Sequence, residues 1–224
     1  MTQRAVFLDR DGTLNLMVYN LDFGLVDSPA NPGEFELLPG VGEAIRAINQ
    51  MGMLAVVVSN QPGIAKGKFS LPILESLTKK MYTRLAEANA HLDAVYYCLH
   101  HPDACVDQYR VECNCRKPKP GLLVKAAQEL DIDLSQSYMI GDGITDILAG
   151  QAVGATTLFV GSRKCYICDE FSRQGVQFDY IVVDLPQAVE IIQTIETGRG
   201  EILAQYASML GVSGSKKVDH KLCP

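Results

Sequence analysis

Short apolar segments alternate with longer amphipathic segments along most of this 224-residue chain, and this alternation constrains the fold more than any other feature. The short segments have the length of buried strands, whereas apolar residues in the longer segments recur at helical spacing. Repeated strand–helix pairs predict an α/β fold, a doubly wound parallel sheet with helices on both faces. The predicted strands are Ala5–Asp9, Met53–Ser59, Ala94–Cys98, Ser137–Gly141, Thr156–Val160 and Tyr180–Val183, and the predicted helices are Gly40–Met51, Leu71–Asn89, Gly121–Leu130, Thr145–Val153 and Leu185–Glu196.

Two segments interrupt the alternation. The first, Leu16–Pro39, contains Gly24, Gly33 and two further prolines before its end, which predicts a long loop or a short flap. The second, residues 98–120, is polar and rich in Cys, His and Pro. We therefore expect residues 1–197 to form one domain without a large cap, followed by a tail, 198–224, that is partly helical at Glu201–Leu210 or disordered.

The composition limits the classes of partner. A net charge of −6 gives no general attraction to nucleic acid or to anionic membranes. No apolar run approaches the roughly 20 residues that a membrane span needs, and the chain enters its first strand without a secretory signal pattern. We therefore expect a cytoplasmic protein that binds neither nucleic acid nor membranes, with a monomer favoured over an oligomer.

Two aspartates one residue apart, Asp9 and Asp11, end the first predicted strand and precede Gly-Thr. Crowded carboxylates repel each other and are costly to desolvate, so a cation or a reaction is expected to use the pair. Ser59, Asn60 and Asp142 also stand at or just past predicted strand ends. Because ligands of such sheets bind beyond the carboxyl ends of the strands, these residues predict one site at one sheet edge.

Phosphate-ester hydrolysis through an aspartyl-phosphate fits these residues. Asp9 would attack phosphorus without needing an activating base, and Asp11 would protonate the leaving oxygen and later deprotonate water. Mg²⁺, which prefers oxygen ligands, is the expected cation, with Asp142 completing its site. Asp146 is either a carboxylate that favours a helix N-terminus or a group that orients a catalytic lysine or a metal-bound water. Taken alone, Asp9 and Asp11 could be a pair of solvated turn residues, but this alternative does not explain the downstream GDGITD segment.

These motifs resemble those of the haloacid dehalogenase (HAD) superfamily of phosphatases. The matching pieces are DRDGT, the SNQ that follows VVV, a lysine in RKPKPG, and GDGITD, in that order. The resemblance implies a phosphorylated aspartate, an acid/base aspartate, two phosphoryl-binding side chains and a Mg²⁺ site. The implied residues are Asp9 as nucleophile, Asp11 as acid/base, Ser59 and Lys117 on the phosphoryl oxygens, and Asp9, the Asp11 carbonyl and Asp142 around Mg²⁺.

A cysteine–histidine cluster follows the third predicted strand. Cys98-x-His100 and Cys113-x-Cys115 offer three thiolates and one imidazole, a normal closed set for structural Zn²⁺. Disulfides fit less well, because Cys113 and Cys115 are close together and the expected compartment is reducing. Isolated core cysteines do not suit so polar a loop. The spacing therefore predicts a structural zinc ion that orders the loop and fixes the position of Lys117.

Three other cysteines and one histidine are less constrained. His101 is an alternative to His100 as the fourth ligand, and Cys105 is a spare thiol. Cys165-x-x-Cys168 has no partner ligands nearby in the sequence. We interpret this last pair as ordinary thiols rather than as a second zinc site.

The cysteine–histidine set directly before RKPKPG, together with SNQPGIAKGKF, resembles one branch of the superfamily. That branch contains the heptose-bisphosphate 7-phosphatases and the histidinol-phosphate phosphatase domain. It implies hydrolysis of a small phosphorylated sugar, most closely the 7-phosphate of D-glycero-D-manno-heptose 1,7-bisphosphate, with Asn60, Gln61 and Arg116 on the substrate. Histidinol phosphate or another small metabolite is the alternative substrate, and an inactive zinc-stabilised binding module is a remote one.

The chain departs from the pattern of the heptose enzymes at two places. Met17-Val18-Tyr19-Asn20 stands where that pattern has Asp-His-Gly-Tyr, and Gly143 stands where it often has a lysine. Lys66, in the segment after the second motif, either helps to bind an anion or is simply exposed. The chemistry is thus more firmly predicted than the substrate.

Overall fold

The computed structural model describes residues 2–21, 24–161, 171 and 173–198. Six parallel strands form one sheet, and two short antiparallel strands form a separate hairpin. The strands are β1 (Ala5–Leu8), β2 (Val18–Asn20), β3 (Leu25–Asp27), β4 (Leu54–Asn60), β5 (Ala94–Cys98), β6 (Tyr138–Gly141), β7 (Thr156–Val160) and β8 (Tyr180–Val182), and the helices are α1 (Val41–Gln50), α2 (Leu71–Glu87), α3 (Gly121–Leu130), α4 (Ile144–Gln151) and α5 (Leu185–Glu196).

The order of the large sheet is β5-β4-β1-β6-β7-β8, so the first strand lies near its centre. Leu8 of β1 pairs with Val57 of β4 on one side and with Ile140 of β6 on the other. The chain first extends the sheet from β1 through β4 to β5 and then continues on the opposite side with β6. Such a reversal opens a crevice at the carboxyl ends of the central strands.

Side chains of the central strand alternate between two cores. Val6 and Leu8 belong to a cluster that includes residues of α1, α2 and α5, whereas Ala5 and Phe7 belong to a cluster with α3 and α4. Because successive strand side chains point to opposite faces, β1 must be apolar throughout, and all four residues are fully buried. The predicted doubly wound parallel α/β fold is confirmed.

The helices carry recognisable start signals. Asp184 caps α5 by accepting a hydrogen bond from the backbone N–H of Gln187 at 2.9 Å, and Pro186 stands in its first turn. Near the other end of α5, Glu196 accepts a hydrogen bond from the Tyr138 hydroxyl at 2.7 Å. These contacts hold α5 against the sheet face on which Tyr138 lies.

The segment predicted as a loop or a short flap contains the β2–β3 hairpin. Tyr19, Leu25 and Val26 are each more than half exposed, so no pattern of burial marked these three-residue strands in the sequence. Among the described residues, no segment of domain size interrupts the sheet connections, which agrees with the absence of a large cap. None of the described helices combines the length and the apolar character that crossing a bilayer requires.

Several predictions fall outside the described residues. These are the tail from residue 199, with its predicted helix Glu201–Leu210, and the thiols Cys165 and Cys168. The division into a domain of residues 1–197 and a tail of 198–224 stays a prediction.

Candidate active site

Three carboxylates meet at the carboxyl ends of β1 and β6. Asp9 follows β1, Asp142 follows β6, and Asp146 lies in the first turn of α4, with oxygens of all three within 4.8 Å of one another. The backbone N–H of Asp9 donates to the carbonyl of Ile140 at 3.0 Å, which extends the β1–β6 pairing up to the site. A Cβ atom on Gly12 would lie 2.1 Å from the Asp142 carboxylate, so only glycine permits this approach.

Lys117 joins two of these carboxylates. Its Nζ lies 2.8 Å from Asp9 Oδ1 and 2.5 Å from Asp146 Oδ1, and it donates to the carbonyl of Val58 at 2.8 Å. The side chain is almost fully buried, which alone would lower the pKa of the amine, but the neighbouring carboxylates of Asp146 and Asp9 outweigh burial and raise it. The lysine therefore stays an ammonium group beside Asp9.

Asp146 combines the two roles considered for it from the sequence. One oxygen contacts Lys117, and the other accepts the backbone N–H of Gly143 at 2.9 Å, at the start of α4. Both oxygens are thus occupied by donors of the protein. Asp142, by contrast, is exposed at the mouth of the site.

Asn60 brackets the backbone of Lys117. Its Oδ1 accepts the Lys117 N–H and its Nδ2 donates to the Lys117 carbonyl, both at 3.0 Å. Asn60, the last residue of β4, therefore fixes the position of Lys117 within the segment of residues 98–120. Both polar atoms of the Asn60 side chain face this backbone. The predicted contact of Asn60 with substrate stays a prediction.

Asp11 turns its carboxylate to a second set of donors. Its Oδ1 accepts from Arg10 Nε at 3.1 Å, from Arg10 Nη2 at 3.0 Å and from Asn15 Nδ2 at 3.0 Å. Its Oδ2 accepts from Arg10 Nη2 at 3.0 Å and from Gln61 Nε2 at 2.6 Å. The same Gln61 nitrogen donates to the Oγ of Ser59 at 3.2 Å. Gln61 thus links the predicted acid/base residue to a predicted phosphoryl-binding hydroxyl.

Arg10 was not predicted from the sequence to be a functional residue, although it lies between the two aspartates. Its side chain is fully buried, and its guanidinium carbon is 5.6 Å from the centre of the Tyr97 ring. An arginine at the end of an apolar strand needs a buried partner, and that signal was present in the sequence. Arg116, the other arginine of the region, is half-buried and donates to the carbonyl of His100 at 3.3 Å.

The acidic cluster fits a divalent cation. Reduced contact with water and the charges of Asp9 and Asp146 raise the pKa of Asp142 to about 7, even though part of this residue reaches solvent. Burial and the charge of Asp9 raise the pKa of Asp146 to about 6, against the opposing effect of Lys117. Three carboxylates share one ammonium group, and oxygen ligands with excess negative charge are what Mg²⁺ prefers. Asp11 does not belong to the three-carboxylate cluster, so its predicted metal contact would use its backbone carbonyl.

The four predicted zinc ligands also lie together. Cys115 Sγ is 3.3 Å from Cys98 Sγ, 3.2 Å from Cys113 Sγ and 3.3 Å from His100 Nδ1. These separations are far longer than a disulfide bond, and all three cysteines are free. A tetrahedral zinc site with bonds of about 2.0–2.3 Å places its ligands roughly 3.5 Å apart, so the cluster fits the ion. His101 lies outside the cluster, and its Nδ1 accepts the N–H of Asp103 at 3.0 Å.

Comparisons with known proteins agree on one family. The HAD-hydrolase-like family model matches residues 114–188. The D-glycero-beta-D-manno-heptose-1,7-bisphosphate 7-phosphatase of Escherichia coli K12 is 41% identical over 186 residues, which cover 83% of this chain and 93% of the relative. The protein of that name from Vibrio cholerae is 44% identical over 185 residues, 82% of this chain and 92% of the relative.

A solved structure gives the same result at the level of the fold and the sequence. The D,D-heptose 1,7-bisphosphate phosphatase of B. bronchiseptica, complexed with magnesium and phosphate, superposes with a TM-score of 0.70 at 28% identity. The match covers 86% of this chain and 99% of that protein. This chain therefore belongs to the D-glycero-beta-D-manno-heptose-1,7-bisphosphate 7-phosphatase family of HAD-like hydrolases.

Proposed function

We propose that this protein is a phosphatase that removes the 7-phosphate of D-glycero-D-manno-heptose 1,7-bisphosphate through an aspartyl-phosphate. The observation that carries the proposal is the position of Asp9 at the end of β1. One of its oxygens is paired with Lys117, and Asp142 and Asp146 lie within 4.8 Å of it. The names and full-length similarity of the relatives support the choice of substrate.

In the first step, a carboxylate oxygen of Asp9 attacks the phosphorus of the 7-phosphate. The new Asp9–phosphorus bond forms as the bond from phosphorus to the sugar oxygen breaks, and a proton held on Asp11 passes to that oxygen. Ser59 and the ammonium group of Lys117 bind the equatorial phosphoryl oxygens, where charge has to be stabilised. The products of this step are the dephosphorylated position of the sugar and phosphorylated Asp9.

In the second step, water attacks the phosphorus of phosphorylated Asp9. The Asp11 carboxylate takes the proton of the water, the bond between phosphorus and Asp9 breaks, and orthophosphate leaves. Asp9 and the protonated Asp11 are restored for another cycle. Arg116, together with Asn60 and Gln61, is assigned to substrate recognition on the resemblance stated above.

Mg²⁺ would be held by Asp9, the Asp11 carbonyl and Asp142, with Asp146 kept for Lys117. When bound there, a divalent cation offsets the negative charge of the carboxylates and of the phosphate that approaches them. Zn²⁺ would be held by Cys98, His100, Cys113 and Cys115, the set whose separations fit a tetrahedral ion. Because the protein would fill all four positions, the zinc ion would have a structural role.

The cysteines of the cluster are free thiols, which persist in a reducing compartment, and this supports the expected cytoplasmic location. A monomer is the oligomeric state that we propose, and analytical ultracentrifugation tests it directly. Neither statement affects the assignment of the chemistry.

A panel of phosphate monoesters tests the substrate. We expect kcat/KM for the heptose 1,7-bisphosphate to exceed that for histidinol phosphate and for other sugar phosphates by at least about tenfold, since differential transition-state binding defines specificity. The β anomer, named for the relatives, and the α anomer are measured separately. A panel in which histidinol phosphate ranks first would reject the heptose assignment while leaving the phosphatase chemistry intact.

Mg²⁺ binding should depend on pH through Asp142. Folding raises the pKa of the Asp142 carboxyl group from 3.8 to about 7. In the metal-free protein, this group therefore contributes most to the free energy of unfolding below pH 3.8, and the contribution is lost as the pH rises through about 7. Mg²⁺ competes with the proton, and its apparent affinity should therefore rise about tenfold between about pH 6 and about pH 8.

Isothermal titration at the two pH values measures this change. Asp142→Asn is the matched variant, since it keeps one oxygen but cannot bind the proton. We expect it to bind Mg²⁺ weakly and with little pH dependence. An equal pH dependence in the variant would show that another group carries the competing proton.

A further inference from the structure

Asp11 is held at its position by more hydrogen-bond donors than any other carboxylate of the site has in this structure. Arg10 approaches both of its oxygens, Asn15 reaches Oδ1 and Gln61 reaches Oδ2 at 2.6 Å. All four residues are buried. A carboxylate that is fixed by several buried donors has one preferred rotamer and a fixed distance from its neighbours.

Arg10 makes few contacts with polar groups other than Asp11. Its hydrogen bonds go mainly to Asp11 and to Gln61 Oε1. Tyr97 is its other neighbour, with the ring below the guanidinium group and a polar interaction between the two side chains. A fully buried guanidinium group is expensive to desolvate and is rarely kept for stability alone, because an apolar side chain packs as well. Its contacts therefore indicate a role that depends on Asp11.

Gln61 depends on the same arginine for its orientation. Arg10 Nη2 donates to Gln61 Oε1 at 3.0 Å, which turns the amide so that Nε2 faces Asp11 and the Ser59 hydroxyl. If the amide were reversed, its oxygen would face the Asp11 carboxylate and its nitrogen would face the guanidinium group. Arg10 thus sets the direction of the amide that joins the acid/base residue to the phosphoryl-binding serine.

We propose that Arg10, acting directly and through Gln61, is a positioning residue that holds the Asp11 carboxyl group in one orientation for proton transfer to the leaving oxygen of the substrate. This inference rests on the proposed function, because it assigns Asp11 the proton transfer described above. Arg10 does not touch the reacting atoms. Its effect should therefore be largest where proton transfer from Asp11 matters.

The choice of leaving group separates this role from a general structural one. A sugar alkoxide needs a proton when it leaves, whereas 4-nitrophenolate is a good leaving group that departs without one. The ratio of kcat/KM for a sugar phosphate to kcat/KM for 4-nitrophenyl phosphate reports the first chemical step in both cases. A misplaced acid lowers this ratio, and partial unfolding lowers both values equally and leaves it unchanged.

The test uses Arg10→Lys in the full chain with Mg²⁺. This substitution keeps the positive charge but removes the planar set of donors with which the guanidinium group binds both oxygens of Asp11. We expect kcat/KM for the sugar phosphate to fall about 10- to 100-fold, which is part or all of the rate enhancement that a general acid typically provides. The value for 4-nitrophenyl phosphate should fall less than about threefold. Gln61→Met, which has a similar shape but no donor, should lower the ratio in the same direction through kcat for the sugar phosphate, whereas loss of a contact with the sugar would act on KM.

Thr157→Val provides the control for lost stability. Thr157 is a buried residue of β7, and its hydroxyl group donates a hydrogen bond to the carboxylate of Asp179, which directly precedes β8. It should leave the ratio unchanged. An unchanged ratio in Arg10→Lys overturns the inference, and if that variant does not fold, an unchanged ratio in Gln61→Met does so instead. The proposed function fails by a different result, namely no turnover of any alkyl phosphate by the unaltered protein.

Discussion

Replacing Asp9 by Asn should reduce phosphate release by at least about 10³-fold, since loss of a covalent nucleophile removes the first step rather than slowing it. The amide keeps the size of the side chain but is a poor nucleophile and loses its charge opposite Lys117. Phosphate release under saturating substrate measures the effect. Phosphorylated protein, trapped by acid quench and detected by mass spectrometry, should disappear in the same variant.

Asp133→Asn is the matched control for this experiment. Asp133 precedes β6, whereas Asp142 follows it, so the control residue lies at the opposite edge of the sheet from the site. Its side chain accepts the N–H of Ser135 at 3.0 Å, a role that an asparagine oxygen can fill. Turnover of Asp9→Asn at the level of this control would reject the aspartyl-phosphate mechanism.

Replacing Cys115 by Ser should remove zinc and destabilise the protein strongly. Cys115 Sγ lies within 3.3 Å of each of the other three ligand atoms, so it is in contact with the whole set. Structural zinc contributes about 10–16 kcal/mol in small peptide sites, and a loss of even a fraction of that should lower Tm by about 10 °C or more. Activity should fall as well, because Lys117 stands two residues further along the chain.

Zinc content by inductively coupled plasma mass spectrometry and Tm by calorimetry measure the two effects. Cys105→Ser is the matched control, since Cys105 is free, exposed and outside the cluster. We expect it to keep one zinc ion per chain and an unchanged Tm. Unaltered protein that contains no zinc and keeps its Tm when treated with a chelator would contradict the structural role.

Elements with a regular pattern of apolar residues were the most predictable from the sequence. The predicted limits of β5, β7, α3 and α5 match the structure, and those of the other predicted strands and helices differ by one or two residues. The location of the active site also followed from the sequence, because parallel strands deliver their carboxyl ends to one edge. Asp9 and Asp142 could therefore be placed together before any distance was known.

The pairing of polar side chains across the site was not predictable. Asn60 bonds the backbone of a residue 57 positions away, and Arg10 bonds Gln61 across 51 positions. No periodicity relates such residues, since their contacts depend on how two loops meet after the sheet has formed. The β2–β3 hairpin was missed for another reason, because its exposed Leu25 and Val26 carry no alternation of buried and exposed positions.

The central place of β1 in the sheet has a consequence for biosynthesis. This strand is synthesised before the other strands of its sheet, yet one of its two neighbours, β6, begins only at Tyr138. Until that residue emerges, the nascent chain carries an unpaired apolar strand edge of the kind that chaperones shield. Synthesis must therefore reach β6 before Asp9 acquires its backbone hydrogen bond to Ile140, and a chain that stops before β6 would leave this strand edge exposed.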